Sequence, residues 1–332
     1  MNEPMTDFTR AETDLASLEA HLNAVIIGQP DLVRNLLIAI FAGGHVLLEG
    51  LPGLGKTHLA KAVAALLDLT TGRVQCTPDL LPADITGSEV LLNDERSASA
   101  FEFREGPVFA NLVLVDEINR ATPRTQAALL EAMQERHVTY NGVRHALPEP
   151  FRVIATQNPI ELEGTFPLPE AQLDRFMVKL NVAYPAADSL GEILEATLDK
   201  EPADELRPVC SAERVAAIGQ AAQQILLAED VRTAAAELVL ATLPDSPSAA
   251  SAARAHIRYG ASPRALQSLV RGARVRALMQ GRAHIACEDF ANLAHPVLRH
   301  RVLLKTESEL DGHTPDSVIK DIVSEWSKAH IG

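Results

Sequence analysis

The sequence predicts an α/β protein in which a parallel sheet, sandwiched by helices, is followed by an all-helical domain. Two observations support this fold class. Through the first half of the chain, short aliphatic runs alternate with segments of helical periodicity, as they do in parallel-sheet units. From about residue 189 onward only helical periodicity is found. We therefore expect a first domain at residues 1–185 and a helical domain at residues 186–332 of this 332-residue chain.

The first elements are two helices between residues 11 and 42, separated by a break at Gly28 to Pro30. A buried strand from His45 to Glu49 then leads through a glycine-rich loop into a helix from Lys56 to about Leu67. The next segments are less regular. They are predicted as a short strand at 74–77, a loop-rich insertion at 78–106 and a buried aliphatic strand at 112–115.

A helix is expected after this strand, with Thr122 as its N-cap and Pro123 as its first residue. The Asn141-Gly142 pair between two short β-prone arms is typical of a two-residue hairpin. Two further strands are predicted at 152–156 and 177–182. The helical domain carries its clearest periodic segments at 215–227, 234–243, 263–279 and 286–294.

Composition and charge disfavour some classes of protein. The chain is 47% hydrophobic and 22% charged, which is typical of a globular protein, and its formal net charge is −14. Such an acidic chain is not expected to bind nucleic acid broadly, because phosphate neutralisation needs clustered Lys and Arg. The three cysteines are far apart, and the start of the chain has no apolar signal core. We expect a cytoplasmic protein without direct membrane insertion.

A phosphate-binding loop is predicted between the first strand and the following helix. The segment matches the pattern GxxxxGK[ST], and its residues are Gly50, Leu51, Pro52, Gly53, Leu54, Gly55, Lys56 and Thr57. Glycines let successive backbone N–H groups face a triphosphate, and the helix that follows adds its positive end. We expect these residues, with His58 beside them, to hold ATP, with Lys56 at the outer phosphates and Thr57 as a ligand of Mg²⁺.

Two acids, Asp116 and Glu117, directly follow the aliphatic strand at 112–115. A phosphoryl-transfer site needs one acid that orients the metal and one group that positions the attacking water. We therefore expect Asp116 to hold Mg²⁺ through its water shell and Glu117 to act as the catalytic base. The alternative is that both acids only keep the end of a strand in solvent.

Several separated blocks then resemble one known family, the MoxR-type AAA+ ATPases. The blocks are FANLVLVDEINRATPRTQAALLEAMQE, ATQNPIELEGTFPLPEAQLDRF, YGASPRAL and PVLRHRVLL. The resemblance extends from about residue 12 to 325, and the blocks agree in order and spacing. It implies an AAA+ P-loop core with a helical lid, assembled as a homo-hexamer with each ATP at a subunit junction.

The resemblance also implies further roles. Asn158 is similar to the sensor 1 residue, Arg175 to the arginine finger that reaches a neighbour's nucleotide, and Arg264 to the sensor 2 arginine, which contacts the phosphates in cis. Structural alternatives remain for each: a turn before Pro159, an ion pair of Arg175 with a nearby acid, and a surface arginine. By the same resemblance, the adenine-side wall is expected at Ile26, Ile27, Gly28 and Gln29, and a contact across the subunit boundary at Arg120.

Three functions are open at this point. The first is a chaperone-like machine that uses ATP hydrolysis to remodel a client complex or insert a cofactor, with a von Willebrand factor A domain protein as partner. The second is a switch or scaffold that binds ATP, assembles and hydrolyses little. The third is a DNA-handling motor, which the acidity and the lack of a basic segment interleaved with aromatics disfavour.

Overall fold

The structure is a computed structural model that describes residues 7–92, 100–160, 164–197 and 206–331. In chain order the strands are β1 Val46–Glu49, β2 Thr71–Gln75, β3 Gly87–Leu92, β4 Ala100–Glu105, β5 Leu112–Asp116, β6 His137–Tyr140, β7 Val143–Ala146, β8 Arg152–Gln157, β9 Val178–Asn181, β10 Ile257–Tyr259 and β11 Leu303–Leu304. The helices of the first half are α1 Asp7–Val25, α2 Pro30–Phe41, α3 Lys56–Leu66, α4 Pro82–Thr86, α5 Pro123–Glu135 and α6 Glu170–Leu173. Those that follow are α7 Ala187–Thr197, α8 Ala212–Gln223, α9 Glu229–Leu240, α10 Ser251–His256, α11 Pro263–Met279, α12 Cys287–Leu298, α13 Thr306–Leu310 and α14 Pro315–His330.

The central sheet has five parallel strands in the order β2-β5-β8-β1-β9. Its inner strands are aliphatic and buried on both faces, as expected when helices cover both sides of a parallel sheet. Successive side chains point to opposite faces. In β1, Leu48 packs into one hydrophobic cluster and Leu47 into the other. In β5, Leu114 and Val115 divide in the same way.

The larger of these clusters extends through α1, α2 and α3 into the helices from α8 to α14. The smaller one lies on the opposite face, where α5 and the buried rings of Phe151 and Phe176 cover the sheet. The C-terminal helices therefore pack on α1 and α2, and α12 also contacts β9 of the sheet directly. No helix in the described ranges has the length and apolar character needed to cross a membrane.

The parallel sheet and the helical C-terminal region confirm the predicted fold class, but some elements differ. β2 begins at Thr71, three residues before the predicted strand. The segment predicted as loop-rich contains α4 and the antiparallel pair β3–β4, while its residues 93–99 lie outside the described part of the chain. The C-terminal region also contains the short antiparallel pair β10–β11. Thr122 caps α5 by position, without a side-chain bond to the helix backbone.

Candidate nucleotide-binding site

The phosphate-binding loop joins the carboxyl end of β1 to α3 and depends on three glycines. Gly53 and Gly55 have φ of +80° and +76°, a region that side chains other than glycine rarely adopt. A Cβ built on either would meet no heavy atom within 4 Å, so their faces border open space. At Gly50 a Cβ would lie 2.9 Å from Val182 O, so this position needs glycine for packing. The loop is therefore an open cradle with bare backbone on its inner side.

The first turn of α3 offers donors to an anion. Gly55 precedes the helix in a left-handed conformation and provides no side-chain cap, so the first N–H groups are left to a ligand or solvent. The Lys56 ammonium donates to the carbonyl oxygens of Gly50 and Leu51 at 2.5 and 2.7 Å. The backbone of the loop thus holds the lysine at the cradle, where its charge would meet the outer phosphates.

Asp116 is the last residue of β5 and is buried, with 5% of its surface exposed. Thr57 Oγ1 donates to its Oδ1 at 3.1 Å. Arg73 reaches the other oxygen, Oδ2, with Nε at 3.0 Å and Nη2 at 2.9 Å. The hydroxyl and the carboxylate are both oxygen donors of the kind that Mg²⁺ prefers, so they fit this ion. The guanidinium of Arg73 is already paired with the carboxylate of Asp116.

Glu117 follows Asp116 in a left-handed backbone conformation, with φ of +56° and ψ of 52°. Its N–H donates to Thr156 Oγ1 on β8 at 2.9 Å, which fixes this left-handed conformation. Its carboxylate accepts from Arg120 Nη1 at 3.1 Å and from Gln75 Nε2 at 3.4 Å. A non-glycine residue in this conformation costs of order 1–3 kcal/mol and is typical of functional sites.

Asn158 follows β8 and lines the same cavity as Lys56, Thr57, Asp116 and Glu117. This cavity has a volume of about 410 Å³. The asparagine is 4% exposed, and its Oδ1 accepts from the N–H of Ile160 at 3.2 Å. The predicted phosphate, metal, base and sensor residues are thus brought together at the carboxyl edge of the sheet, where α/β proteins bind ligands.

A second cavity, of about 540 Å³, adjoins the loop on the side of α1 and α2. The loop residues from Pro52 to Lys56 and His58 line both cavities. Of the predicted adenine wall, Ile26, Ile27 and Gln29 line this cavity. Gly28 is absent from its described lining. A Cβ there would lie 2.5 Å from Ser189 Oγ, so the residue serves close packing against α7.

Arg175 and Arg264 lie away from this site and line a separate cavity beside Asp174. Arg175 Nη1 donates to the carbonyl oxygen of Leu130 at 2.8 Å, and Arg264 Nη1 is 3.7 Å from Asp174 Oδ2. This cavity is also lined by Gly43 to His45, the residues that enter β1.

The two arginines therefore lie at the amino edge of the sheet, whereas the phosphate-binding loop follows its carboxyl edge. The four-residue β1 alone separates the two edges by about 13 Å. The structure therefore contradicts the expected contact of Arg264 with the phosphates in cis, because the arginine lies at the amino edge of its own sheet, opposite the phosphate-binding loop.

Sequence reasoning did not identify several residues of the site. Arg73 and Gln75, which contact the two acids, lie on β2, and the sequence placed this strand too late. With the strand starting at residue 71, their alternation would have directed both side chains to one face near its end. Tyr184 and Leu190, exposed by 68% and 40%, complete the wall of the larger cavity.

The fold and the loop define a P-loop nucleotide-binding protein, and comparisons with known proteins agree. Residues 45–178 match the family described as "ATPase family associated with various cellular activities (AAA)". Residues 249–322 match the AAA lid domain. Both matches fall where the structure has the sheet and the C-terminal helices, respectively.

Comparison with individual relatives identifies the group within the AAA family. The chain is 38% identical to "Chaperone MoxR1" of Mycobacterium tuberculosis over 90% of this chain and 78% of the relative. It is 36% identical to "Protein MoxR" of Paracoccus denitrificans over 88% of this chain and 89% of the relative. A crystal structure from Cytophaga hutchinsonii, described as a candidate ATPase, is 36% identical and superposes with a TM-score of 0.88 over 96% of each chain. The chain belongs to the MoxR-type AAA+ ATPases.

Proposed function

We propose that the protein hydrolyses ATP with Mg²⁺ and uses the cycle as a chaperone-like remodelling machine. The observation that carries the proposal is the convergence of a cationic loop, a metal-orienting acid and a second acid in one cavity. Lys56 would attract the outer phosphates, and Glu117 would accept the proton of the attacking water. Asn158 would align this water with the terminal phosphate.

The metal site would consist of the Thr57 hydroxyl and the buried carboxylate of Asp116, which already contact each other. Bound Mg²⁺ would neutralise negative charge on the phosphate oxygens during transfer. Arg73 occupies one oxygen of Asp116 and is 56% exposed, so its guanidinium can move into solvent when the acid takes up a water-mediated metal contact.

A ring of subunits would complete this site. Arg175 and Arg264 lie at the amino edge, away from the loop of their own chain, so they would act on the nucleotide of a neighbour. An arginine supplied by another subunit stabilises the charge that develops in phosphoryl transfer. We propose a homo-hexamer in which both arginines act in trans. The bipartite organisation, with a core at 1–185 and a lid at 186–332, is part of the same proposal.

The proposed partner and client are inferred from similarity to known proteins. Both relatives described above carry the name MoxR, and one of them is named a chaperone. From the family resemblance we propose a von Willebrand factor A domain protein as partner and a client complex that is remodelled or receives a cofactor in the cytoplasm.

A second candidate, an ATP-dependent assembly switch with little hydrolysis, is favoured by one feature. Both acids of the site are engaged by cations: Asp116 by Arg73, and Glu117 by Arg120. The guanidinium of Arg120 occupies a carboxylate oxygen of Glu117, so basal turnover would be slow until a partner or neighbour breaks the pair. Client-stimulated turnover supports the machine, whereas turnover that stays slow with every partner supports the switch.

Glu117→Gln tests the proposed hydrolysis. The amide keeps the shape of the side chain but accepts no proton, so turnover should fall by roughly 10²–10⁴-fold while ATP binding is retained. Glu131→Gln, at an exposed position of α5, is the matched control and should leave both unchanged. Steady-state turnover and equilibrium ATP binding are measured on the same preparations. Unaltered turnover of Glu117→Gln would remove this residue from the mechanism.

A further inference from the structure

A cavity of about 490 Å³ lies between the sheet core and the C-terminal helices, apart from the phosphate-binding loop. One wall comes from the end of α2 and the entry to β8, and the other from α8 and α11. Its volume falls within the roughly 300–1,000 Å³ that is usual for small-molecule sites. A ligand bound there would touch both halves of the chain.

Four arginines line this cavity, and a single carboxylate, that of Glu149, accompanies them among its described lining residues. The arginines are Arg136, Arg152, Arg271 and Arg274. Glu149 is 78% exposed and is 3.8 Å from Arg136, so it offsets little of their charge. This concentration of positive charge is unexpected in a chain whose formal net charge is −14.

The donors of these arginines are largely unused. In the described ranges, Arg271 and Arg274 make no hydrogen bond or ion pair, and the Nε of Arg274 is buried without a partner. Arg152 donates through Nε to Ile40 O at 2.8 Å and through Nη1 to Phe151 O at 2.7 Å. No described group accepts from its Nη2. A buried donor without a partner is costly, which favours an acceptor supplied from outside the chain.

Helix geometry places two of the arginines together. Arg271 and Arg274 are three residues apart on α11, so they project from the same face of the helix. Arg152 faces them from the entry to β8 across the cavity. Planar guanidinium groups on opposite walls match an anion with several oxygens, and arginine binds phosphate through paired N–H donors.

We propose that this cavity binds an anion that carries two or more phosphate groups, either inorganic polyphosphate or the phosphate chain of a nucleotide. Because its walls belong to the core and to the C-terminal helices, the anion bridges the two and stabilises their packing. Its binding does not depend on ATP hydrolysis. A protein-borne acidic segment is a different class of ligand and is not expected to be needed.

The neighbouring cavity of Arg175 and Arg264 has to be distinguished from this one. Arg136 and Arg271 line both cavities, whereas Arg152 and Arg274 line only the one between core and helices in the described chain. Substitutions at Arg274 and Arg264 therefore separate the two sites. Both residues are on α11, so they form a matched pair.

The test is calorimetric titration of inorganic tripolyphosphate into the full chain, carried out without magnesium in a Lys56→Ala background that weakens binding at the loop. This background should retain one tripolyphosphate site per chain. Adding Arg274→Gln should weaken the affinity by about tenfold or more, and Arg274→Lys by less, because lysine keeps the charge but loses the paired donors. Adding Arg264→Gln, or Arg232→Gln on the exposed face of α9, should leave the affinity within about twofold.

A melting-temperature rise with tripolyphosphate, lost in Arg271→Gln and Arg274→Gln, checks the same site in variants shown to be folded by circular dichroism. ADP and pyrophosphate titrated in the same background separate the two sources of the anion. A nucleotide site binds ADP more tightly than pyrophosphate, whereas a polyphosphate site does not. The proposal is overturned if Lys56→Ala alone abolishes binding, if Arg264→Gln weakens binding as much as Arg274→Gln does, or if only an acidic peptide binds.

Discussion

Replacing Arg301 with methionine perturbs the contact that fixes the C-terminal region to the sheet. The Arg301 side chain is 2% exposed, and its Nε is 2.7 Å from Asp174 Oδ1. Its Nη2 and Nη1 donate to the carbonyl oxygens of Phe176 and Met177 at 2.7 and 3.0 Å. These groups form the entry to β9, next to Arg175. One side chain therefore holds both the charge and the backbone of the segment that carries the proposed arginine finger.

The structure sets the size of the effect. Methionine keeps much of the apolar stem but leaves Asp174, whose side chain is 17% exposed, with Ser262 Oγ at 3.0 Å and a distant Arg264. Removing one partner of a buried ion pair costs about 3–5 kcal/mol, and the remaining hydroxyl places this case near the lower end, at about 3 kcal/mol. Arg299→Met is the control. Its partner Asp316 is 38% exposed, so about 1 kcal/mol is expected.

Urea unfolding measures both losses. The single tryptophan, Trp326, is buried in α14 and donates to Ala234 O at 2.9 Å, so its fluorescence reports the C-terminal region, while circular dichroism reports the whole chain. Asp174→Asn combined with Arg301→Met should cost less than the sum of the two single changes, because neither then leaves a buried charge alone. A loss for Arg301→Met no larger than that for Arg299→Met refutes the reasoning.

Two further predictions concern the core around the site. Burial, followed by Arg152, lowers the pKa of His45 to about 3, so the unfolded chain takes up a proton below about pH 6.5 that the folded chain does not. The free energy of unfolding therefore falls as the pH falls, by about 2 kcal/mol between pH 7 and 5 from this group. Urea unfolding at several pH values should show that His45→Gln loses less stability over this range than the wild type does; an equal loss contradicts this. A Cβ at Gly72 would lie 1.9 Å from Pro107 O, so Gly72→Ala should lower the free energy of unfolding by about 2–3 kcal/mol, as measured in thermal melts. The control Gly191→Ala, in open space on α7, should cost no stability. Equal melting temperatures of the two variants contradict this.

Most of the core fold could be predicted because its signals are local. The aliphatic run of β5, the glycine-rich loop after β1 and the Asn141-Gly142 turn each act within a few residues. Asn141 and Gly142 do have the positive φ values, 46° and 79°, that the two-residue hairpin requires. The antiparallel pair β3–β4 was missed because its polar and charged positions resemble a loop, and pairing partners decide whether such a segment forms a strand.

The residues of the site also divide into those that local sequence patterns predict and those that depend on distant parts of the chain. Lys56, Thr57, Asp116 and Glu117 are adjacent to strand ends, so their meeting at the carboxyl edge follows from parallel topology. The contacts of Arg73 and Gln75 depend on the register of β2 against β5, which aligns Gln75 with Asp116, and no local pattern fixes that register. Arg264 shows the same limit at longer range, since its distance from the loop depends on how the C-terminal helices pack on the sheet.

The most direct measurement of the central claim, a nucleotide site completed by a neighbouring subunit, mixes two inactive variants. Lys56→Ala removes the loop cation and Arg175→Ala removes the arginine at the opposite edge, so each alone should hydrolyse ATP poorly. In a mixed ring, an intact loop meets an intact arginine at about a quarter of the junctions if assembly is random. Turnover should therefore recover to about a quarter of the wild-type rate on mixing. A mixture no more active than its parts, or full activity of Arg175→Ala alone, contradicts the account.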